Sequence, residues 1–294
     1  MICINILVTG ASGFLGTKIM SILKGDFNII GTDRDESRGN SKMDITDANE
    51  VSSMIHKIKP DVVLHLAALA DVDKCETDRY SARKINVEGT RNLIEACKKT
   101  NSKFIFISTD FVFDGKKGNY KEEDKPNPLS YYGVTKLEAE KLVEKSGLKY
   151  LILRLEVLYG FNGNGSERSF TMWVFNSLKQ GKEIKVLDDQ FSTPTLTDDI
   201  ANAIKLLVNQ KKEGLYHVCG SQRLSKYDMA VKLAEVFNFD RLLIKPMKTS
   251  DFKQAAARPK DSSMIIEKLK KEGIKMHSFE EGLQIMKKQM FINL

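Results

Sequence analysis

Cysteine, proline and tryptophan are scarce in this chain, whose 294 residues include four, six and one of them, respectively. The cysteines, Cys3, Cys75, Cys97 and Cys219, are far apart, form no Cys-x-x-Cys pair and have no histidine at metal-ligand spacing. This pattern argues against a disulfide framework and against a zinc site. We therefore predict no metal centre, and we expect reduced cysteines that are mostly buried.

Long apolar runs are also missing, since none approaches the ~20 residues that a membrane-spanning helix requires. Residues 1–10 have no basic start and no small-residue cleavage pattern, so they are interpreted as a β-strand and not as a signal peptide. The net charge is +7, but basic residues alternate with acids and form no patch typical of nucleic-acid binding. These absences predict a cytoplasmic protein that binds neither membranes nor nucleic acid.

Short β-rich runs alternate with helical periods through the first half of the chain. Several of these runs are almost wholly apolar, as in strands that are covered on both faces. Repeated β-α-β units of this kind predict an α/β fold with a doubly wound parallel sheet of the Rossmann type. The predicted strands cover residues 4–9, 27–33, 61–67, 103–109 and 149–155, and helical periods cover residues 79–99 and 130–146.

The pattern of elements changes after residue 156, where glycine-rich and mixed segments follow. We predict a dinucleotide-binding domain over residues 1–156, to which a segment near residues 190–212 returns. Residues 157–294 are expected to form mainly a smaller α/β substrate-binding lobe.

A glycine turn follows the first predicted strand in ILVTGASGFLG. Gly10 permits a tight turn, Gly13 lets the backbone approach a pyrophosphate, and Gly16 lets the next helix pack closely on the strand. The helix N-terminus then offers free N–H groups to phosphates. Because strand, turn and helix occur in the order that dinucleotide binding requires, we predict NAD(H) or NADP(H) as cofactor.

Acidic and small residues at later strand ends extend the predicted cofactor site. Asp33 ends the second strand, where a carboxylate accepts hydrogen bonds from an adenosine ribose and favours NAD(H), whereas the adjacent Arg34 suits the 2′-phosphate of NADP(H). Asp44 is expected near the adenine. The strand predicted over residues 61–67 is followed closely by small residues, so that Ala67, Ala68 and Ala70 offer a surface over which a dinucleotide can lie flat. His65, inside that strand, is predicted to be a core histidine.

The segment SYYGVTKLEAEKL contains two adjacent tyrosines and a lysine. In an α-helix, Tyr132 and Lys136 lie about 40° apart on one face, whereas Tyr131 and Lys136 diverge by about 140°. A nearby ammonium lowers the pKa of a phenol and so activates it for proton transfer. The same spacing occurs at Tyr80 and Lys84, but the strand before that pair offers no hydroxyl to hold a carbonyl, whereas the strand before Tyr132 ends in Ser108 and Thr109.

The segments TGASGFLG, STDFVFDG, YYGVTKLEAEK and DQFSTPT together resemble the extended short-chain dehydrogenase/reductases, and most closely the dTDP-4-dehydrorhamnose reductases among them. The resemblance continues through residues 86–93, 214–230 and 257–264, so it covers nearly the whole chain. It implies an NAD(P)H-dependent oxidoreductase that reduces the C4 ketone of a nucleotide-linked 4-keto-6-deoxy sugar, converting dTDP-4-dehydrorhamnose to dTDP-L-rhamnose.

The resemblance also implies roles for individual residues. Thr109 would hold the substrate carbonyl, Tyr132 would give it a proton, and Lys136 would lower the pKa of the phenol and hold the nicotinamide ribose. The residues implied at the cofactor are Gly10, Ser12, Gly13, Phe14, Leu15, Gly16, Asp33, Arg34, Asp44, Ile45, Leu66, Ala67, Ala68, Ala70, Tyr132 and Lys136. Those implied at the sugar nucleotide are Asp110, Val112, Phe113 and Arg258.

Two other functions are compatible with the same segments. A nucleotide-sugar epimerase or dehydratase shares the glycine turn and the Tyr/Lys pair but usually retains its dinucleotide permanently. The non-catalytic regulatory subunit of methionine adenosyltransferase is similar as well. Val157, Ser169 and Ser192 depart from the usual reductase residues, all on the substrate side. The sequence does not specify the assembly, for which we consider a homodimer.

Overall fold

A computed structural model describes residues 4–36, 39–163, 169–251 and 253–292, so Cys3 lies outside the described residues. The strands in these ranges are β1 (Asn5–Thr9), β2 (Asn28–Asp33), β3 (Ser41–Lys42), β4 (Val62–His65), β5 (Lys103–Thr109), β6 (Tyr150–Leu155), β7 (Leu158–Tyr159), β8 (Ile184–Leu187), β9 (Phe191–Ser192), β10 (Thr195–Leu196), β11 (Gly214–His217), β12 (Leu224–Ser225) and β13 (Ile244–Met247). The α-helices are α1 (Phe14–Leu23), α2 (Ala48–Ile58), α3 (Val72–Thr77), α4 (Arg79–Arg83), α5 (Gly89–Thr100), α6 (Tyr131–Glu144), α7 (Phe170–Lys179), α8 (Thr197–Asn209), α9 (Lys226–Phe237), α10 (Glu267–Lys271) and α11 (Phe279–Ile292).

A seven-stranded parallel sheet forms the centre of the molecule, in the order β11-β6-β5-β4-β1-β2-β3. In the middle strand β1, Ile6 pairs with Ile29 of β2 and with Val62 of β4. Apolar runs form such strands because helices cover both faces, and the centres of β1, β4 and β5 are fully buried. The predicted doubly wound parallel α/β sheet is therefore confirmed.

Helices cover the two faces of this sheet with separate apolar clusters. On one face α1 and α8 pack together, and on the other face α2, α5 and α6 do so. The predicted returning segment, residues 190–212, includes α8, but the chain continues past residue 212 into β11, which pairs with β6 at the sheet edge. Residues 264–276 also pack against the first cluster.

The second lobe has a core of its own. Helices α7, α9 and α11 enclose this core together with the parallel pair β8 and β13. Tyr159 and Phe279 meet there edge to face, with ring centroids 4.8 Å apart. None of the helices in the described ranges is both long and apolar enough to cross a membrane.

The helical period predicted over residues 79–99 is correct in kind but is not one helix. Asp78 ends α3 and caps α4, accepting a hydrogen bond from the Ser81 backbone N–H at 3.0 Å. The chain then widens into a π-helical turn over Lys84–Glu88 before α5 begins. The period of apolar residues did not reveal this turn, which brings the buried Asn86 against the loop after β4.

His65 lies in the core of the sheet, as predicted. Its Nδ1 is 2.8 Å from the Thr9 hydroxyl, and its Nε2 is 3.0 Å from the Thr90 hydroxyl. Burial, and then the positive charge of Lys136, lower the pKa of His65 from 6.5 to about 3. Between these values an unfolded chain binds a proton at this histidine and the folded chain does not, so the free energy of unfolding falls as the pH falls.

Replacing His65 is expected to weaken this pH dependence. Each such histidine contributes up to about 1.4 kcal/mol per pH unit to the slope of the unfolding free energy. Urea unfolding of His65→Gln between about pH 4 and pH 6 should show a slope shallower by roughly that amount. His56→Gln, at an exposed position of α2, is the control, and an equal change in both variants would contradict the assignment.

Candidate active site

The glycine turn joins β1 to α1 at the carboxyl edge of the sheet. Gly10 has a φ of 69°, in the left-handed region that favours glycine, and a Cβ there would lie 2.9 Å from the backbone of Ala67. A Cβ on Gly16 would lie 2.3 Å from the carbonyl oxygen of Gly10. The two glycines thus allow the turn to approach both the loop after β4 and the helix that follows.

The N-terminus of α1 suits an anion. Gly13 is its N-cap residue and provides no side-chain hydrogen bond to the helix. The side chain of Leu15 is buried in the core, so the group that it can offer to a ligand is its backbone N–H in the first turn of the helix. A ten-residue helix that begins without a side-chain cap, beside a turn that admits no Cβ, fits the phosphates of a dinucleotide.

The residues predicted around the adenosine follow β2 and β3 at the same edge. Asp33 Oδ2 accepts hydrogen bonds from the Ser12 backbone N–H at 2.9 Å and from the Asn40 amide at 2.8 Å. Arg34 is 74% exposed at its side chain and pairs with Asp35 at 3.3 Å. Asp33 is therefore fixed on the glycine turn, whereas Arg34 extends into solvent, and the opposing preferences for NAD(H) and NADP(H) both persist.

Asp44 and Ile45, both predicted to contact the cofactor, form hydrogen bonds and packing contacts within the protein. Asp44 Oδ1 accepts a hydrogen bond from the Thr46 N–H at 2.8 Å and so shapes the turn before α2. Ile45 is buried, and its side chain lies against Gly89. Its carbonyl accepts a hydrogen bond from Asn92 at 3.0 Å, so both residues have structural partners whatever they bind.

The loop after β4, Leu66–Ala70, is held by the π-helical turn. The Asn86 amide accepts from the Leu69 N–H at 2.8 Å and donates to the Leu69 carbonyl at 3.1 Å. The same amide donates to the Thr135 hydroxyl of α6 at 3.1 Å. One buried asparagine therefore joins the predicted cofactor loop to the helix that bears Tyr132.

The predicted catalytic residues meet between β5 and α6. Thr109 ends β5, and its hydroxyl donates to Asp110 at 3.0 Å and accepts from the Phe111 N–H at 3.2 Å. Tyr132 lies in the first turn of α6, in edge contact with the Phe111 ring at 5.8 Å. Lys136 is buried one turn later, with Nζ 4.0 Å from the centre of the Phe106 ring.

A buried ion pair fixes the position of α6. Glu140, one turn beyond Lys136, accepts hydrogen bonds from Arg154 Nε at 2.9 Å and from the Arg154 terminal nitrogen Nη2 at 2.7 Å. The Ser108 hydroxyl donates to the same carboxylate. Strands β5 and β6 therefore both bind α6 through one side chain, on the face that carries Tyr132 and Lys136.

The protonation of the pair differs from expectation. Burial and the negative charge of Asp110 raise the pKa of Tyr132, so the predicted lowering by Lys136 is not found. Burial lowers the pKa of Lys136 itself to about 7, against the opposing effect of Glu140. The reason is that taking either side chain out of water disfavours its charged form more than the neighbouring charge favours it. Tyr132 is therefore a protonated, hydrogen-donating phenol at neutral pH.

Tyr80 and Tyr131, the two other tyrosines considered in the sequence, have surroundings that differ from those of Tyr132. Tyr80 is 77% exposed on α4, and Lys84 is exposed as well. Tyr131 is half-buried, and the Arg79 guanidinium lies 4.9 Å from the centre of its ring. The matching spacing at Tyr80 and Lys84 thus forms no site.

A cavity of about 600 Å³ lies between the sheet edge and the second lobe, and Phe111, whose ring contacts Tyr132, is one of its lining residues. Asp110, Phe111 and Arg258 line it, but Val112 and Phe113 do not, because both are fully buried in the sheet core. The expectation for these two residues was wrong. The chain leaves β5 through a 3₁₀ turn over Asp110–Val112, so side chains no longer alternate as in a strand. The remaining cavity residues are Val72, Val157, Phe170, Trp173, Lys185, Val186, Leu187, Gln190, Phe191, Ser192, Lys226, Met247, Gln254, Pro259 and Ser262.

Arg258 lines this cavity and forms an ion pair with Asp73 of α3. Its guanidinium forms two hydrogen bonds to Asp73 of α3, at 2.6 and 2.7 Å, and donates to the Ala256 carbonyl at 2.7 Å. These bonds hold the pKa of Asp73 down at about 2. The predicted substrate residue thus already has an anionic partner, contributed by α3 in the first half of the chain.

The strand order, the glycine turn and the Tyr/Lys pair beside a cleft are those of an extended short-chain dehydrogenase/reductase. The family model described as "RmlD substrate binding domain" matches residues 4–292. The chain therefore belongs to this family.

Relatives of known name agree with this placement. A dTDP-4-dehydrorhamnose reductase of Aggregatibacter actinomycetemcomitans is 32% identical, over 95% of this chain and 97% of its own. The crystal structure of a dTDP-4-dehydrorhamnose reductase from Bacillus anthracis, in complex with NADP, superposes with a TM-score of 0.90 at 32% identity, covering 98% of this chain and 100% of its own. Methionine adenosyltransferase 2 subunit beta of Bos taurus is 31% identical, over 92% of this chain and 83% of its own.

Several residues of the site were not found from the sequence. Asn86, Glu140 and Lys226 lie in helical or turn segments whose tertiary partners no local pattern specifies. Glu156 carried a usable signal, because an acid that directly follows an apolar strand, in LILRLE, is buried at a strand end where ligands bind. Phe111 was passed over for its neighbours, since the 3₁₀ turn was not anticipated.

Replacing Gly16 by alanine is expected to damage the glycine turn, because the new Cβ would meet backbone atoms of Gly10 and Ala11. We expect a loss of about 1–3 kcal/mol in unfolding free energy, together with weaker NADPH binding by fluorescence titration. Gly25→Ala is the control, since nothing lies within 4 Å of the added Cβ. A Gly16→Ala variant that matches Gly25→Ala in both measurements would refute the close approach.

Proposed function

We propose that this protein uses NADH or NADPH to reduce the C4 ketone of a nucleotide-linked 4-keto-6-deoxy sugar, converting dTDP-4-dehydrorhamnose to dTDP-L-rhamnose. The observation that carries the proposal is the placement of Tyr132 in the first turn of α6, against the Phe111 ring that lines the cavity, with Thr109 at the end of β5 and Lys136 one helical turn beyond. Membership in a family with relatives named dTDP-4-dehydrorhamnose reductase supports the choice of substrate.

The side chains divide the work of a carbonyl reduction. When bound, the reduced nicotinamide supplies the hydride. Thr109 holds the carbonyl oxygen, and Tyr132 donates the proton that converts it to an alcohol. A raised pKa suits this direction of reaction, because Tyr132 keeps its proton until negative charge develops on the substrate oxygen. Lys136 then stabilises the phenolate by its charge.

The cavity offers suitable chemistry for a sugar nucleotide. Lys185, Lys226 and Arg258 bring positive charge to one lining, which suits a pyrophosphate. Phe170 and Trp173 form an aromatic wall with ring centroids 5.9 Å apart, and Trp173 remains partly exposed. A flat aromatic surface of this kind suits a nucleoside base.

A regulatory role remains a second candidate, because the relatives named methionine adenosyltransferase 2 subunit beta have almost the same identity. Thr109, Tyr132 and Lys136 are compatible with both roles, so turnover of a sugar nucleotide decides between them. Stable association with a methionine adenosyltransferase, without turnover of any sugar nucleotide, would favour the regulatory role.

The proposal also covers the domain organisation, the cellular location and the oligomeric state of the protein. We assign residues 1–156, with the returning segment near 190–212 extended through β11, to dinucleotide binding, and most of residues 157–294 to the substrate. A cytoplasmic location and a homodimer complete the proposal, and sedimentation of the purified protein tests the homodimer.

Substituting the two tyrosines separately tests the proposed chemistry. Tyr132→Phe should lower kcat with dTDP-4-dehydrorhamnose by about 10²–10⁴, because the proton donor is lost. Tyr131→Phe should retain most of the activity, since its ring packs outside the site. NAD(P)H oxidation, followed by absorbance with each cofactor in turn, measures both. Equal losses would rule out the choice of Tyr132, and an inactive wild type would rule out the substrate.

Arg258→Ala tests the proposed substrate side of the cavity. Losing a charged hydrogen-bond donor should raise KM for the sugar nucleotide by about 10- to 100-fold with a smaller change in kcat. Arg241→Ala is the control, since Arg241 is exposed and pairs with Glu235 on the surface of the second lobe. An unchanged KM in Arg258→Ala would show that the arginine serves only its bond to Asp73.

A further inference from the structure

Ser192 is a buried residue whose hydroxyl has no role in the chemistry proposed above. It is 4% exposed, and it lines the cavity between the sheet edge and the second lobe. Within residues 4–36, 39–163, 169–251 and 253–292, no group forms a hydrogen bond with its Oγ. A buried hydroxyl without a partner costs free energy, because it has given up the hydrogen bonds that water would form with it. Its position in the lining indicates that a ligand in the cavity supplies the partner.

Three short segments meet at Ser192 and fix its backbone from both sides. Ser192 of β9 pairs with Leu224 of β12 in antiparallel orientation. On the other side, Phe191 pairs with Asp261 in parallel orientation, and the Ser262 N–H donates to the Phe191 carbonyl at 3.2 Å. Ser192 and Ser262 are therefore neighbours in adjacent segments, and both line the cavity.

These contacts connect Ser192 to the end of the cavity where the proposed reaction takes place. The Ser262 hydroxyl lies 3.1 Å from Oε1 of Glu156, which directly follows β6. Strands β5 and β6 end side by side, so Asp110 and Glu156, the residues after them, belong to the same sheet edge as Thr109. Ser192 is thus linked through Ser262 to the edge that carries Thr109.

The charged groups around Ser192 balance one another. Asp110 lines this end of the cavity, and Glu156 is buried against Ser262. Lys226 lines the cavity as well and interacts electrostatically with both acids. Two carboxyl groups and one ammonium leave no excess of positive charge to hold a phosphate here. A neutral hydroxyl group, which needs only a hydrogen-bond partner, fits these surroundings better.

The proposed substrate has such groups close to its reacting carbon. A 4-keto-6-deoxy hexose that is joined to a nucleotide at C1 has two ring hydroxyls, at C2 and C3. Since C4 must lie at Thr109 and Tyr132 for reduction, these hydroxyls lie one and two carbons away from the reacting centre. A serine hydroxyl can donate a hydrogen bond to such a group or accept one from it.

We propose that the Ser192 hydroxyl binds a ring hydroxyl of the sugar, at C2 or C3, and that Ser192 is a specificity-determining residue of the site. The inference rests on the proposed reductase function and deepens it, because it assigns a contact to the sugar and not to the nucleotide. Ser192 is held by the neighbouring segments before a ligand arrives, so little ordering opposes the contact. A sugar that lacks the hydroxyl leaves the serine unpaired and binds less tightly.

Replacing Ser192 by alanine is expected to weaken binding of the sugar and not of the nucleotide. In isothermal titration calorimetry, Ser192→Ala should bind dTDP-L-rhamnose about 2- to 10-fold more weakly than the wild type, because one hydrogen bond is lost. Its affinities for dTDP and for NADPH should be unchanged. KM for dTDP-4-dehydrorhamnose should rise by a similar factor, with a smaller change in kcat.

The stability of the same variant tests whether the hydroxyl is unpaired in the free protein. Ser192→Ala removes no hydrogen bond of the described residues, so the midpoint of its urea unfolding should equal or exceed that of the wild type. A clearly lower midpoint with unchanged affinity for dTDP-L-rhamnose would show that the hydroxyl serves the fold, and it would overturn the inference.

Thr197 provides a matched control. Its hydroxyl is also buried and has no hydrogen-bond partner in the described part of the chain, but Thr197 does not line the cavity. Thr197→Val removes this hydroxyl at nearly constant volume and should leave the affinity for dTDP-L-rhamnose unchanged. Equal weakening in Thr197→Val and Ser192→Ala would contradict a direct contact between Ser192 and the sugar.

Removing the hydroxyl from the ligand gives a test that also works without a variant. Of two dTDP-linked sugars that lack the C2 or the C3 hydroxyl, one should bind to the wild type about 2- to 10-fold more weakly than the parent sugar nucleotide. Ser192→Ala should lose no further affinity with that ligand, since the same bond is already absent. Losses that add would overturn the inference.

Failure of the inference is distinguishable from failure of the proposed function. A wild type that reduces dTDP-4-dehydrorhamnose, together with a Ser192→Ala variant of unchanged affinity and KM, would overturn the role of Ser192 alone. A wild type that neither reduces this substrate nor binds dTDP-L-rhamnose would refute the reductase function and the inference with it.

Discussion

The buried contact between Glu140 and Arg154 is the interaction on which the rest of the site depends. It joins α6 to β6, and the Ser108 hydroxyl adds β5 to the same carboxylate. Because Glu140 lies one and two turns beyond Lys136 and Tyr132, it sets the rotation of the helix that presents them. Breaking such a pair leaves an uncompensated charge in the interior, at a cost of about 3–5 kcal/mol. The relative placement of Tyr132 and Lys136 is thus maintained by an ion pair that lies outside the proposed proton transfer.

The site also shows how burial and charge compete in one place. Tyr132 and Lys136 are both shifted towards their neutral forms, and Asp110 and Glu156 are shifted the same way. Each shift has the same origin, since the cleft holds these groups away from water. This arrangement favours the proposed reduction, because the neutral phenol is the form that donates a proton.

The parts of the site that follow from local periodicity were predictable. The spacing of Tyr132 and Lys136 on one helix, and of Gly10 and Gly16 around a turn, depends on residues within a few positions of one another. Val112 and Phe113 were misplaced because a 3₁₀ turn replaces strand alternation after Thr109. The burial of Glu156 could have been predicted from LILRLE, but its partners, Thr193 and Ser262, are 37 and 106 residues away in the chain, a distance that no local pattern spans.

The path of the chain between the two lobes limits how this protein could have evolved by recombination. Helix α8 and strand β11 come late in the sequence, yet they complete the sheet and one of its apolar faces. The first half of the chain is therefore not a removable module: cutting the chain after residue 156 would strip α1 of its packing partner and open an edge of the sheet. Recombination that exchanged one half of the chain would also have to transfer α8 and β11. We therefore expect the substrate specificity of this fold to change by substitution around the cleft and not by exchange of halves.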